Sequence, residues 1–379
     1  MTTGFSSRRV LRPTTKMLPE YGRGHNRSLV LQTLYRGGRM SRADIARGTG
    51  LTRVTISTLV AELIADNLVV EMGQREDARP GKPATILDLN RDAFEIVGID
   101  LSGSSLFRGA LLDLDGKILD RAEVELAGST GDEAAAKVMA LAETLIERAT
   151  RPILGLGVGS PGVIDLAGLV LTAPNLGWTN RSLTLDLSAR FGVPVVVVND
   201  ANAAALAEHS FGDATGDMML VKVGHGVGAG LLLDGTPQFG GRFSAGEIGH
   251  VVVGTDGGAE CVCGKTGCLE TWLAVPRLTA ALAATTGPEQ REKVLWAAGE
   301  RLGIALAPVV AALDLAELVL SGPSDLLDGT LLTATAETIR ARTLREHQGN
   351  FVLRMTELGD DIVLRGAAVM VLSGQLGVS

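Results

Sequence analysis

The chain has 379 residues, 46% of them hydrophobic, a net charge of −8 and three cysteines. That length holds two or three domains with sizeable cores. Three clustered cysteines do not build a disulfide framework, so a reducing cytoplasm with metal binding is the better reading. No apolar run reaches the roughly 18 residues that span a bilayer, so no membrane partner is expected. The charge is uneven: residues 1–90 carry 14 Lys and Arg against 8 Asp and Glu, and residues 91–379 carry 21 against 35. A small basic module on a large acidic body points to an anionic partner for the N-terminus alone.

Residues 1–24 form a basic, Ser/Thr/Pro-rich tail without the apolar stretch of a signal peptide. Residues 25–91 then read as three short helices and a hairpin. In the first helix Leu29, Val30, Leu34 and Tyr35 recur at helical spacing, and Gly37-Gly38 ends it. Ser41 caps a second helix with Ile45 and Ala46 inward, and Gly48-Thr49-Gly50-Leu51 makes a turn. Thr52 caps a third helix whose Ile56, Leu59, Val60 and Leu63 form one apolar stripe. Its start carries Arg53, Thr55 and Ser57 on the outside, with Thr52 at the same edge. A helix-turn-helix presents side chains to the major groove there. Arg53 can pair with guanine or phosphate, and the hydroxyls can reach bases or backbone. LVVEMGQ and ATILDLN read as the strands of a wing, with Arg75, Arg79 and Lys82 at its tip, placed for phosphates or a minor groove. The bland alternative is a small helical cap beside a solvated hairpin.

From residue 92 the pattern becomes α/β. FEIVGIDLSGSSLFRGALLDLDGKILDRAEVEL predicts a three-strand meander turning at Ser102–Ser105 and Asp115-Gly116, and a helix follows over Asp132–Ala149. ILGLGVGSPGVID is a buried strand entering a Gly/Pro loop. VPVVVVNDANAAALAEHSFG is a strand, a polar corner and an alanine-rich helix. MMLVKVGHGVGAGLLLDG is two strands around a glycine loop, and the stretch from Pro276 on reads as helices plus the strand ELVLSGP. Two glycine turns between strand pairs suggest a duplicated, two-lobed design.

Two stretches carry chemistry. Asn199-Asp200 closes the Val195–Val198 strand, where open α/β sheets bind ligands. A carboxylate there can accept a hydroxyl proton while the amide positions the hydroxyl. The simpler reading makes Asp200 the cap of the next helix. In EIGHVVVGTDGGAECVCGKTGCLE, Cys261, Cys263 and Cys268 close a tight loop, and His250 completes a Cys3His set of the kind that holds structural zinc. Glu270 opens a helix, a place the helix dipole favours for any glutamate.

Taken together, GEIGH, CVCGKTGCLE, VNDANAAALAE, GVGSPGVID and APNLGW resemble the ROK family of repressors and sugar kinases, over residues 25–379. The resemblance implies a two-lobed, actin-like and ribonuclease-H-like body over 92–379 behind an N-terminal winged helix. Lobe 1 is expected at about 92–197 plus a C-terminal helix at 357–379, and lobe 2 at about 198–356. It also implies sugar contacts from Asn175, Asn199, Asp200, Glu247, His250 and Glu270, with Asp200 as the base in the kinases. His250, Cys261, Cys263 and Cys268 match the family's zinc ligands, the histidine serving metal and sugar together.

The phosphate loops depart from the kinase pattern. Asp100 is followed by LSGSS in place of a glycine pair and threonine, and His225 of GHGVGAG stands where a small hydroxyl residue would meet phosphate. A Cβ or imidazole crowds the backbone approach to phosphate, which counts against ATP. The expectation is therefore a sugar-responsive transcriptional regulator that is not an enzyme. It would act as a homodimer or homotetramer on an inverted-repeat operator. A sugar kinase with an appended DNA module is the alternative.

Overall fold

The computed structural model describes residues 22–74, 84–254, 257–344 and 351–378. The N-terminal module is α1 (Gly22–Gly37), β1 (Met40–Ser41), α2 (Arg42–Thr49), α3 (Arg53–Ala65), β2 (Val69–Gln74) and β3 (Thr85–Leu89), with the strands ordered β1-β3-β2. Helix α1 starts three residues inside the expected tail. Local chemistry sets the module's corners. Ser41 and Asp44 form a reciprocal capping box at the start of α2. Gly50 ends α2 in the left-handed region, where it donates to Ala46 O. The wing exists as the β2–β3 hairpin. Arg75, Arg79 and Lys82 at its tip lie outside the described residues.

The body contains two five-stranded sheets of the same topology. The first has β4 (Glu95–Asp100), β5 (Leu106–Leu112) and β6 (Ile118–Glu125) as an antiparallel meander. To this β7 (Ile153–Ser160) and β11 (Val195–Asn199) add in parallel, in the order β11-β7-β4-β5-β6. Helix α4 (Gly131–Arg148) covers it, and the short strands β8 (Val163–Ile164), β9 (Val170–Ala173) and β10 (Trp178–Arg181) form a small separate sheet followed by α5 (Leu183–Phe191). The second sheet repeats the plan: β12 (Met218–Val223), β13 (Val227–Leu233) and β14 (Thr236–Pro237) make the meander, and β15 (Glu317–Ser321) and β16 (Val352–Met355) add in parallel. The duplicated design read from the two glycine turns is thus present. A cut at residues 197/198 passes through β11, since Val195 to Asn199 all pair with β7.

Two helices join the halves. Helix α6 (Asp200–Phe211) packs on β12 and β13, and α12 (Ile362–Leu376) packs on α6, β7 and β4. They approach so closely at Gly366 that a Cβ there would stand 1.9 Å from Ala203 O. Helix α12 also carries the N-terminal module. Its Leu364, Ala368, Val371, Leu372 and Leu376 share one buried cluster with Val30, Leu31 and Leu34 of α1 and Ile56 and Leu63 of α3. Each such Val, Leu or Ile side chain adds about 1.5–3 kcal/mol on full burial. The module is therefore fused to the body by a common core.

Helices α7 (Glu270–Leu273), α8 (Val275–Ala283), α9 (Pro288–Leu313), α10 (Ser324–Leu327) and α11 (Thr330–Arg342) cover the second sheet. By length and composition α9 reaches the size of a membrane span, which the sequence reading overlooked. Its Leu295, Ala298, Leu302 and Leu306 are buried in the second-sheet core, and α11 packs along it. That is the environment of an amphipathic core helix, with Glu300 and Arg301 in its middle.

Candidate functional site

The surface expected to meet DNA is built by α3. Its stripe of Ile56, Leu59, Val60 and Leu63 is buried as predicted, which turns Arg53, Val54, Ser57 and Thr58 to solvent on one face. Thr52 caps the helix, accepting from Thr55 N at 3.2 Å, and the two hydroxyls lie 2.9 Å apart. Thr52 and Thr55 thus spend hydrogen-bonding capacity on the cap. Val54 was missed in the sequence because a valine there reads as neutral. It is 78% exposed, beside Arg53 and Ser57 on the same face.

The second site lies where β11 ends and α6 begins. Here the structure corrects the simpler sequence reading, since the cap is Asn199. Asn199 Oδ1 accepts from Ala201 N at 3.0 Å and Asn202 N at 3.1 Å, and its Nδ2 donates to Gly162 O at 2.9 Å. Gly162 sits at φ +91, and a Cβ there would stand 2.0 Å from Thr172 O, so only glycine brings the GSPG loop to this amide. With the cap supplied by Asn199, Asp200 is the first residue of the helix. Its Oδ1 accepts from Ala201 N at 3.0 Å, and its Oδ2 lies 3.0 Å from Lys222 Nζ on β12. Burial alone would lower the pKa of Lys222, yet the charges of Asp200 and Asp100 outweigh it and raise that pKa.

Glu247 and Glu270 complete an acidic rim. Gly246, at φ +95 and against Ala229 O, brings the chain hard onto β13 and so places Glu247. Burial pushes the Glu247 carboxyl above its ordinary range; His250 opposes this, and the nearby charges of Asp200 and Glu270 add to it. Glu270 Oε2 accepts from Val227 N at 3.1 Å, which ties the start of α7 to the second glycine loop. Asn175 stands exposed on the 3-10 turn Pro174–Leu176 and joins none of these hydrogen bonds.

The cysteine loop folds under this rim. His250 and the three cysteines bring their donor atoms within 4.8 Å of one another. Cys261 Sγ is 3.5 Å from His250 Nδ1, and Cys263 Sγ is 3.6 Å from Cys268 Sγ. Four donors at about 2.0–2.3 Å around a tetrahedral ion would be separated by roughly 3.5–3.8 Å, so the set fits a closed metal site. Burial and the neighbouring thiols push the Cys268 thiol up to about 12, whereas Cys263, beside the Lys265 backbone N–H, is lowered. A cation among the sulfurs would hold all three as thiolates.

Beyond Asp200 a cavity of about 510 Å³ opens between the sheets, lined by Ser102, Ser104, Arg108, Lys222, His225 and Ser321 among others. His225 is exposed at this loop. Arg108 Nη2 is 3.3 Å from Asp100 Oδ2, so both cations lining the cavity already face carboxylates.

Known proteins share this architecture. Residues 21–80 match the MarR family, and residues 96–373 match the ROK family. The xylose repressor of Caldicellulosiruptor bescii is 29% identical over 93% of this chain and 96% of its own. The glucokinase of Halalkalibacterium halodurans is 31% identical over 73% of this chain and 94% of its own. A solved ROK family transcriptional regulator, a homologue of the E. coli MLC protein, superposes with a TM-score of 0.82 at 24% identity, covering 94% of this chain and 97% of that one. Repeated sheets, paired crossing helices and a winged N-terminus thus recur in one fold, and with most of its length matching that family the chain belongs to the ROK family.

Proposed function

We propose that the protein is a sugar-responsive DNA-binding repressor whose operator affinity is changed by a sugar or sugar derivative held between the sheets. The observation that carries this reading is the shared core of α12, which joins the DNA module to the helix that crosses Asp200's own helix. A ligand that favours one arrangement of the two sheets can then shift the module, provided it binds the two arrangements with different affinity. The named relative that spans nearly the whole chain is a repressor, while the kinase relative matches a smaller share of it. Asp200, Glu247, Glu270, His250 and Asn199 would bind sugar hydroxyls, with Asn175 as a further contact from the turn. Arg53, Ser57, Thr52 and Thr55 would meet DNA, with Arg79 and Lys82 of the wing. Zinc would staple His250 to the three cysteines and fix which ring nitrogen faces the ligand. The protein would work in the cytoplasm as a homodimer or homotetramer on an inverted repeat.

Purified protein is expected to bind a site in its own promoter region, and one sugar from a panel of aldoses, amino sugars and their phosphates is expected to change that affinity. Absence of any bound site, at low salt and with or without sugar, would overturn the reading. The carboxylate of Asp200 at the start of α6 keeps a sugar kinase as the second reading. ADP release with a sugar, abolished by Asp200→Asn, would promote it over the first.

A further inference from the structure

Lys222 is the residue of the cleft that sequence reasoning passed over. It lies on β12, a central strand between β13 and β15, with Val221 and Val223 buried on either side of it. A lysine in such a strand is unfavourable unless a charge partner meets it. Asp200 meets it at 3.0 Å, and both side chains are largely buried, at 16% and 15% exposure. Asp100, itself 1% exposed, acts on the ammonium as a second carboxylate and is paired with Arg108. Four charges therefore alternate from the first sheet to α6: Arg108, Asp100, Lys222, Asp200. The chain of charges is neutral as a whole.

This arrangement fixes what Asp200 can do. One oxygen is held by Ala201 N and the other by the ammonium, so the carboxylate has a set direction. A charged acceptor of fixed direction binds a hydroxyl well. We propose that Lys222 is the positioning residue of the ligand cleft, holding the Asp200 carboxylate in a fixed direction as an acceptor for a sugar hydroxyl. The inference rests on the sugar-binding reading above and deepens it.

The test is calorimetric titration of the full chain with D-xylose, D-glucose and the other aldoses of the panel. The variants Lys222→Met and Lys222→Arg are compared with wild type for whichever sugar binds. Lys222→Met is expected to weaken binding at least about tenfold, and Lys222→Arg, which keeps the charge, to restore affinity to within about threefold of wild type. Unchanged affinity in Lys222→Met, or an equal loss in both variants, overturns the inference while leaving the sugar site standing. If Lys222→Met does not unfold as a single cooperative species, Lys222→Gln takes its place: a tenfold loss supports the role of charge, and wild-type affinity refutes it. Failure of every sugar to bind the wild-type chain removes the sugar reading and this inference together.

Discussion

Helix α3 and the cleft around Asp200 are assembled in opposite ways. The polar and apolar side chains at the exposed start of α3 come from one short stretch, Thr52 to Thr58, and its cap and stripe follow from local spacing. The cleft draws Asp100 from β4, Arg108 from β5, Asn199 from the end of β11, Asp200 from the start of α6, Lys222 from β12, Glu247 and His250 from the segment after β14, and Glu270 from the start of α7. A local surface tolerates single changes; a surface built from distant segments depends on the packing that brings them together. Helix α12 is where the two meet, since it packs on α6 on one side and on the module's core on another.

The strongest way to break the comparison is to disturb that meeting point. Gly366→Val would place side-chain atoms against the backbone of Ala203. A loss of about 3 kcal/mol in urea unfolding is expected, with DNA and sugar binding lost together. A loss below about 1 kcal/mol would show that the crossing has slack. Arg53→Ala should affect one region only: operator binding weakens by about 2 kcal/mol in a mobility-shift titration, with sugar affinity unchanged. Cys263→Ser should do the reverse. Metal content falls and sugar affinity drops about tenfold, because the loop carries His250 and Glu270, while operator binding without sugar persists. Intact sugar affinity in metal-free Cys263→Ser protein would uncouple staple from cleft. The smallest effect is expected of Val54→Ala, about 1 kcal/mol if its exposed side chain packs on a thymine methyl. Replacing that thymine with deoxyuridine should give the same loss and make the mutation silent; additive losses would exclude the contact.

Much of the module was legible in sequence. Ser41 and Thr52 cap the helices assigned to them, and the apolar stripe of α3 is buried. These features depend on neighbours within four residues. Val54 escaped notice because exposure depends on where the whole helix docks. In the body, the meander, α4 and the strand ELVLS were readable from period and turns, whereas β14 and β16 were not. The last two are only two and four residues long and exist by pairing with β13 and β15. The cap at α6 went to Asn199 instead of Asp200 because the helix already begins at Asp200, which leaves Asn199, the last residue of β11, as the flanking residue.

The sequence by itself determined the parts: the capped helices, the alternating strands, the duplicated glycine turns and the Cys3His spacing. It did so because capping, pleat and turn geometry act over a few residues. Only the tertiary structure decided that Lys222 faces Asp200, that Glu247 and Glu270 share one rim, and that the DNA module shares a core with the last helix. Those relations are set by close packing between segments up to hundreds of residues apart, and no local pattern carries them.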